Sequence, residues 1–225
     1  KFGYPSQVWR YNDTFKVARY DTVEGKKFAP WTFSEGRWVM KAPDRPRPLY
    51  NLEELNARIE SPVLVVEGEK TADFAREFVG SVYVVVTWPF GASAFNTADW
   101  GPLRGRKVLL WPDADVPGRN TMDQIAAKLS ALCPEIKIIN TEGQPEGWDA
   151  ADSGFDWDRF VVWAKPRTVV YEITCAQGAI AVAAVQVNIQ NAEDEAPRGS
   201  LLAIWTNLGL ALSDNNRPIP NMDNV

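Results

Sequence analysis

Glu67 and the pair Asp113 and Asp115 are the residues of this chain whose type and spacing best suit chemistry. Glu67 closes the run Val63-Leu-Val-Val and is followed by Gly68; forty-odd residues on, Val108-Leu-Leu-Trp-Pro runs into Asp113-Ala-Asp115. Each is a short apolar run ending in acid, the pattern of a buried strand that delivers its last residues to a sheet edge. A glutamate and a spaced aspartate pair on neighbouring strand ends make a hard, all-oxygen site suited to Mg²⁺ and its phosphates. Alone, Glu67 reads equally as an exposed strand-end acid, and the aspartates as N-cap and first-turn acids of the next helix. Pro112 and Pro117-Gly118 break regular strand around the pair, which lets both carboxylates converge. The combination across a βαβ interval is what points to a metal.

Other residues fit around that centre. Gly68 permits a sharp turn and close approach of a phosphate. Lys70 and Asp73 open the next helix, whose N-terminus attracts phosphate. Gly91, in Thr87-Trp-Pro-Phe-Gly-Ala-Ser-Ala, belongs to an ordinary turn or to a nucleotide cradle of backbone amides. In Gly147-Trp-Asp149-Ala-Ala-Asp152, Asp149 is a further candidate metal ligand, and both acids read equally as helix caps. Lys16, Arg19, Lys26, Lys27, Arg37 and Lys41 are interleaved with Trp9, Tyr11, Tyr20, Trp31 and Trp38. That mixture suits single-stranded nucleic acid, by phosphate contact and base stacking, or else a solvated basic face over an aromatic core.

Composition narrows the chemistry. The 225 residues contain no histidine, which removes Ser-His-Asp and Cys-His nucleophile systems and histidine general bases. Catalysis would have to run on carboxylates, lysines, arginines and metal. Two cysteines, Cys133 and Cys175, make neither a zinc site nor a disulfide framework and read as reduced cytosolic thiols. No apolar run is long enough to span a membrane, so no membrane partner is expected. The net charge of −5 conceals a basic leading segment: residues 1–50 hold ten Lys/Arg against five Asp/Glu. Such a face can hold a polyanion.

These residues need a scaffold. Residues 7–41 alternate in short aromatic-rich strands (Val8–Tyr11, Phe15–Tyr20, Lys27–Trp31, Arg37–Met40) and predict a small antiparallel sheet. Ala42–Pro48 is a proline-rich connector. Leu52–Ile59 fits a short helix with Asn51 as N-cap. Then the rhythm becomes β/α: strand 63–66, helix 70–79, strand 82–87, a short helix near 93–98, strand 107–111, helix 118–132, strand 135–140 and a helix over 150–163. Val169–Ile173 reads as a strand, Ala176–Val187 as helix or strand, Asn188–Gly199 as a linker and Leu201–Leu212 as a helix. The fold class is α/β: a Rossmann-like parallel sheet flanked by helices, preceded by a small basic antiparallel subdomain. The divisions fall at 1–50, 51–165 and 166–225.

Glu67-Gly68 followed by Asp113-Ala-Asp115 resembles the TOPRIM signature of DnaG-type primases, topoisomerases and some nucleases, over about residues 60–165. Arg47-Pro-Leu-Tyr50, Val65-Val-Glu-Gly-Glu-Lys70, Trp111-Pro-Asp-Ala-Asp115-x-Pro-Gly118 and Glu146-Gly-Trp-Asp149-Ala-Ala-Asp152 resemble primase regions of phage, plasmid and genomic-island replication proteins. Ile204-Trp-x-x-Leu-Gly-Leu210 and the segment after it resemble the lead-in to a virulence-associated-E-type helicase. The resemblance implies a DNA primase core that makes RNA primers on single-stranded DNA from NTPs, with Mg²⁺ (or Mn²⁺) on Asp113 and Asp115. It implies that Glu67 is a ligand or a general acid/base, and that a helicase domain or helicase is the partner. It places the protein in the cytoplasm of a bacterial or phage-infected cell. The chain departs from cellular primases in having Glu69-Lys70 after the glycine and no cysteine cluster for zinc. A TOPRIM nuclease or phosphotransferase and a non-catalytic nucleic-acid-binding module are the alternatives.

Overall fold

The computed structural model describes residues 3–176 and 179–185. The expected linker 188–199, the expected helix 201–212 and the helicase-like segment after it lie outside the described residues.

Two sheets organise the chain. The first is antiparallel, in order β1 (Gln7–Asn12), β2 (Phe15–Thr22), β3 (Gly25–Ser34) and β4 (Arg37–Val39). Its inward positions follow the period of two: Trp9 and Tyr11 on β1 and Phe15 and Val17 on β2 are buried.

The second sheet has the order β10-β9-β8-β7-β5-β6. Its parallel part is β5 (Val63–Val65), β6 (Val84–Val86), β7 (Lys107–Leu110) and β8 (Glu135–Ile139). β9 (Thr168–Ala176) adds antiparallel to β8, and β10 (Ala179–Val185) adds antiparallel to β9. The sheet therefore continues past residue 165, and the ambiguous 176–187 segment contains a strand. β5 and β6 are buried along their whole length, as strands covered on both faces must be.

Helices α1 (Leu52–Ala57), α2 (Glu69–Val79), α3 (Val116–Leu129) and α4 (Trp157–Ala164) supply the cover. Val63, Val65, Val84, Val86, Val108 and Leu110 pack with Leu55 of α1 and with Met122, Ile125 and Leu129 of α3. Leu64, Val66, Val85 and Leu109 pack with Ala72, Ala75 and Val79 of α2 and Phe160 of α4. Alternate residues of the same strands thus feed two cores, one on each side. Among the described residues no helix is long and apolar enough to cross a membrane.

Two sequence expectations need correction. The helix expected over 150–163 is two pieces, a 3₁₀ turn at Ala150–Asp152 and α4. Gly154, at φ 59°, sits in the left-handed region that interrupts a helix, and Asp156 then caps α4 by accepting from the Arg159 amide. Asn51 precedes α1 without capping it by its side chain: its φ is 64°, and its amide Nδ2 donates to the Val85 carbonyl (2.8 Å). The pair thereby ties α1 to β6.

Arg106 secures the other end of α1. Its buried guanidinium donates to the carbonyls of Leu55 (3.0 Å), Arg58 (2.7 Å) and Ser61. The Leu55 carbonyl is one that a short helix leaves unpaired at its C-terminal end, and those of Arg58 and Ser61 belong to the turn that leads on to β5. Arg106→Met is expected to strip all three and lower stability by about 3 kcal/mol. Urea unfolding measures the loss, and a variant as stable as the parent would show that water replaces the guanidinium without cost.

Tyr11 Oη donates to Glu69 (2.7 Å), Trp9 Nε1 to Asp73 (2.9 Å) and Tyr50 Oη to the other Asp73 oxygen (3.0 Å). All three donors reach the first turns of α2. The Trp9 and Tyr11 bonds lock the antiparallel sheet onto the helix that follows Glu67, and Tyr50 fastens the connector before α1 to the same helix.

Candidate active site

Adjacency of β5 and β7 brings the acids to one sheet edge. The strands run parallel with Val65 opposite Leu110, and the Trp111 amide donates to the Val65 carbonyl (2.9 Å). Glu67 and Asp113 therefore leave the C-terminal ends of neighbouring strands.

Local devices fix each loop. Gly68, at φ 78°, takes a backbone conformation that costs side-chain-bearing residues dearly. Its amide donates to the buried Thr87 hydroxyl (3.0 Å) at the end of β6. Asp115 caps α3, its Oδ1 accepting from the Gly118 amide (2.6 Å). Asp149 Oδ1 accepts from the amides of Ala151 (2.6 Å) and Asp152 (3.1 Å), and its Oδ2 accepts from Thr71 Oγ1 (2.8 Å) on α2. The capping role and the candidate-ligand role of Asp149 thus fall on one carboxylate, which is already bonded at both oxygens.

Gly118 is held by close packing. A Cβ there would stand 2.8 Å from the Asp113 carbonyl oxygen and 3.0 Å from both Asp113 Cβ and Asp115 Oδ1. Gly118→Ala is expected to displace the Asp113–Asp115 loop and weaken Mg²⁺ or Mn²⁺ binding at least about tenfold, while β7 and α3 persist. Calorimetric titration of Mn²⁺ checks this, and unchanged affinity would show that the loop has room to spare.

An aromatic cluster backs the two acid-bearing loops. Trp163 lies 5.2 Å from both Trp111 and Trp148, centroid to centroid, and 5.3 Å from Phe155. The Ala114 amide donates to the Trp148 carbonyl (2.8 Å) and so ties the Asp113–Asp115 loop to the Asp149 loop. Trp111, Trp148, Thr71 and Thr87 were not singled out from sequence. The one available signal was that each tryptophan stands within two residues of a candidate acid.

Electrostatics bind the acids into a group. Burial, and then the nearby Asp115, push the Glu67 carboxyl up to about 7. Burial pushes Asp113 up to about 8, with further contributions from Glu67, Asp149, Asp115 and Asp152. Glu67 Oε1 is buried with no hydrogen-bond partner. A buried, unpaired carboxylate oxygen among like charges is costly unless a proton or a cation relieves it. An all-oxygen donor set fits Mg²⁺ or Mn²⁺. Among the described residues, no three acid or cysteine side chains stand close enough to close on one ion without rearrangement.

The remaining candidates scatter. Asp73, expected beside a nucleotide, has both oxygens taken, one by Trp9 of the antiparallel sheet and the other by Tyr50 of the connector. Lys70 has its Nζ 5.4 Å over the Phe74 ring. It lines a groove of about 320 Å³ with Arg19, Trp9 and Asp73. Gly91, at φ 74°, has open space where a Cβ would stand. It follows β6, on the opposite side of β5 from Asp113.

The six cations do not share a face. Lys16 and Lys27 face one way on β2 and β3, Arg19 and Lys26 the other, because residues paired across strands share a side and neighbours along a strand do not. Arg19 is also paired with Asp21 (2.7 Å), and Lys27 with Glu24 (3.4 Å). Arg37 is exposed opposite Ser34, and the Lys41 carbonyl accepts from Thr32 Oγ1 (2.7 Å).

No protein-family profile matches this sequence, and no curated protein matches it. Among solved structures the chain is similar to a DNA primase domain from Pseudomonas aeruginosa, with 14% identity and a TM-score of 0.44 over 70% of this chain and 52% of that one. It is also similar to the primase fragment of the bacteriophage T7 primase-helicase protein, with 18% identity and a TM-score of 0.40 over 70% and 65% of the two chains. A third likeness is to a chain in the bacteriophage T7 lagging-strand DNA polymerase interacting with primase domains bound to an RNA/DNA hybrid and dTTP. It has 17% identity and a TM-score of 0.35 over 61% and 71%. The chain spans about half the length of the P. aeruginosa domain.

Proposed function

We propose that this chain is the TOPRIM-containing catalytic core of a DNA primase, making short RNA primers on single-stranded DNA by divalent-metal-dependent nucleotidyl transfer. The observation that carries the proposal is the group of acids where β5 and β7 end side by side, with Glu67 Oε1 buried and unpaired. An acidic sheet edge of this kind has a use when it faces phosphates through a hard cation.

In this scheme Asp113 and Asp115 hold Mg²⁺ or Mn²⁺, with Glu67 beside them. The ion, when bound, neutralises triphosphate charge and lowers the cost of the attacking alkoxide. Glu67, whose Oε1 is buried and unpaired beside the aspartates, is placed to take the proton from the primer 3′-hydroxyl as that oxygen attacks the α-phosphorus and pyrophosphate leaves. Asp149 is the outer partner: through Thr71 it ties the start of α2 to the loops that carry the acids. Lys70, in the first turn of the helix that follows Glu67, serves the NTP phosphates. The template is single-stranded DNA, and a helicase domain or helicase is the functional partner.

The test is direct. The chain is incubated with single-stranded DNA, NTPs and Mg²⁺ or Mn²⁺, and labelled products are separated by size. Template-dependent oligoribonucleotides are expected. Degradation of the DNA without synthesis would move the protein to the nuclease alternative.

A further inference from the structure

The outward face of the antiparallel sheet carries cations and rings with no acid among them. Arg10 on β1 pairs with Lys16 on β2, and Lys16 pairs with Trp31 on β3, so the three form one row across the sheet. With strands about 4.8 Å apart, that row is roughly 10 Å long. In the neighbouring row Phe33 pairs with Trp38 on β4, their rings meeting edge-on at 5.4 Å. Lys16 Nζ lies 4.0 Å over the Trp38 ring and so joins the two rows. Lys27 is on the same face, opposite Tyr20. Among the described strand positions facing this way, none is Asp or Glu. Glu24, in the β2–β3 turn, lies 3.4 Å from Lys27.

The rings are also held. Trp31 packs on a small buried patch of Ala18, Tyr20 and Ala29, and its Nε1 donates to Tyr20 Oη (3.1 Å). Ordering these rings in advance reduces what a ligand must spend to stack on them. The opposite face of the sheet is the one that Trp9 and Tyr11 lock onto α2. This outward surface is therefore separated from Glu67 and Asp113 by the thickness of the sheet.

We propose that Trp31, Trp38 and Phe33, with Arg10, Lys16 and Lys27, form a stacking platform for single-stranded nucleic acid that is distinct from the carboxylate site. Flat rings take bases of any sequence, and the cations beside them take the phosphates. A duplex hides its base faces and gains only the charge term. The platform shares with the proposed function only its class of ligand. It is tested without NTPs or metal, so that failure of either idea shows separately.

Fluorescence anisotropy of labelled oligodeoxythymidine, titrated with the full chain at several salt concentrations, reads the surface. Trp31→Leu and Trp38→Leu are each expected to weaken binding about tenfold. Trp38→Phe, which keeps a ring, retains most of the affinity. Replacing Arg10, Lys16 and Lys27 together with Gln lowers the slope of log affinity against log salt by about 2. Circular dichroism verifies that each variant is folded. Folded variants that bind the oligonucleotide as the parent does, with the same salt slope, overturn the proposal. So do equal affinities for duplex DNA or polyglutamate that fall in the same variants, since these would show a surface that reads charge alone.

Discussion

Asp113→Asn combined with Asp115→Asn is expected to abolish primer synthesis, a loss of at least about a thousandfold, while the fold persists. The two residues follow β7, beside Glu67 beyond β5, and nothing else in the β7–α3 loop can replace a hard anionic ligand. Asparagine keeps the volume and an acceptor oxygen, so the Asp115 cap on the Gly118 amide survives in weakened form. Glu67→Gln should also be inactive, for a different reason: it retains a polar oxygen and loses the proton acceptor. Primer assays with Mg²⁺ and Mn²⁺ check both. Synthesis retained by the double variant would remove these acids from the chemistry.

The second large effect is on stability and runs in the opposite direction. Asp113 ordinarily titrates near 3.8 and in this fold at about 8; Glu67 moves from 4.5 to about 7. Between those limits the folded protein binds more protons than the unfolded chain. Stability of the metal-free protein therefore falls as pH rises from about 4 to about 8. Each pKa unit is worth about 1.4 kcal/mol, and the acids share their interactions, so the total is on the order of 3 kcal/mol rather than the sum of both shifts. Asp113→Asn removes the larger share. It is expected to raise the thermal midpoint of the metal-free protein at pH 8 and to flatten the pH dependence. Midpoints measured in chelator from pH 5 to 8 decide it. A variant that melts lower than the parent at pH 8 would mean that the carboxylate is stabilised by contacts rather than strained by its neighbours. Together the two outcomes describe a site that spends stability on function.

The strand-end acids were legible because a buried parallel strand writes itself as a run of Val and Leu, and whatever polar residue ends the run stands at the edge. The alternation of strands and helices after Pro62 was legible for the same reason. Where local sequence has two readings, it failed in physically intelligible ways. Asp149 and Asp152 look like the start of one long helix, yet Gly154 interrupts it; Asp149 caps only the short 3₁₀ turn, and its other oxygen also accepts from Thr71, which is 78 positions away in sequence. Asn51 looks like a cap and serves β6, because the Val85 carbonyl needs a donor. The basic stretch reads as one surface in one dimension, but pleating sends Lys16 and Arg19 to opposite faces. Asp73 looks like a phosphate-site acid beside a helix N-terminus. Its role depends on Trp9 and Tyr50, and no local pattern announces that contact. Strand β10 was ambiguous because Ala and Val suit either state, and only the pairing with β9 settles it.

Metal binding tests the central claim most directly. The thermal midpoint of the parent chain at pH 7.5 should rise when millimolar Mg²⁺ or Mn²⁺ replaces chelator, by the amount that mass action gives a ligand bound only to the folded state. The Asp113→Asn, Asp115→Asn variant should show no such rise. A parent midpoint that ignores both ions, or a rise of equal size in the double variant, would contradict a divalent-metal site on these strand ends.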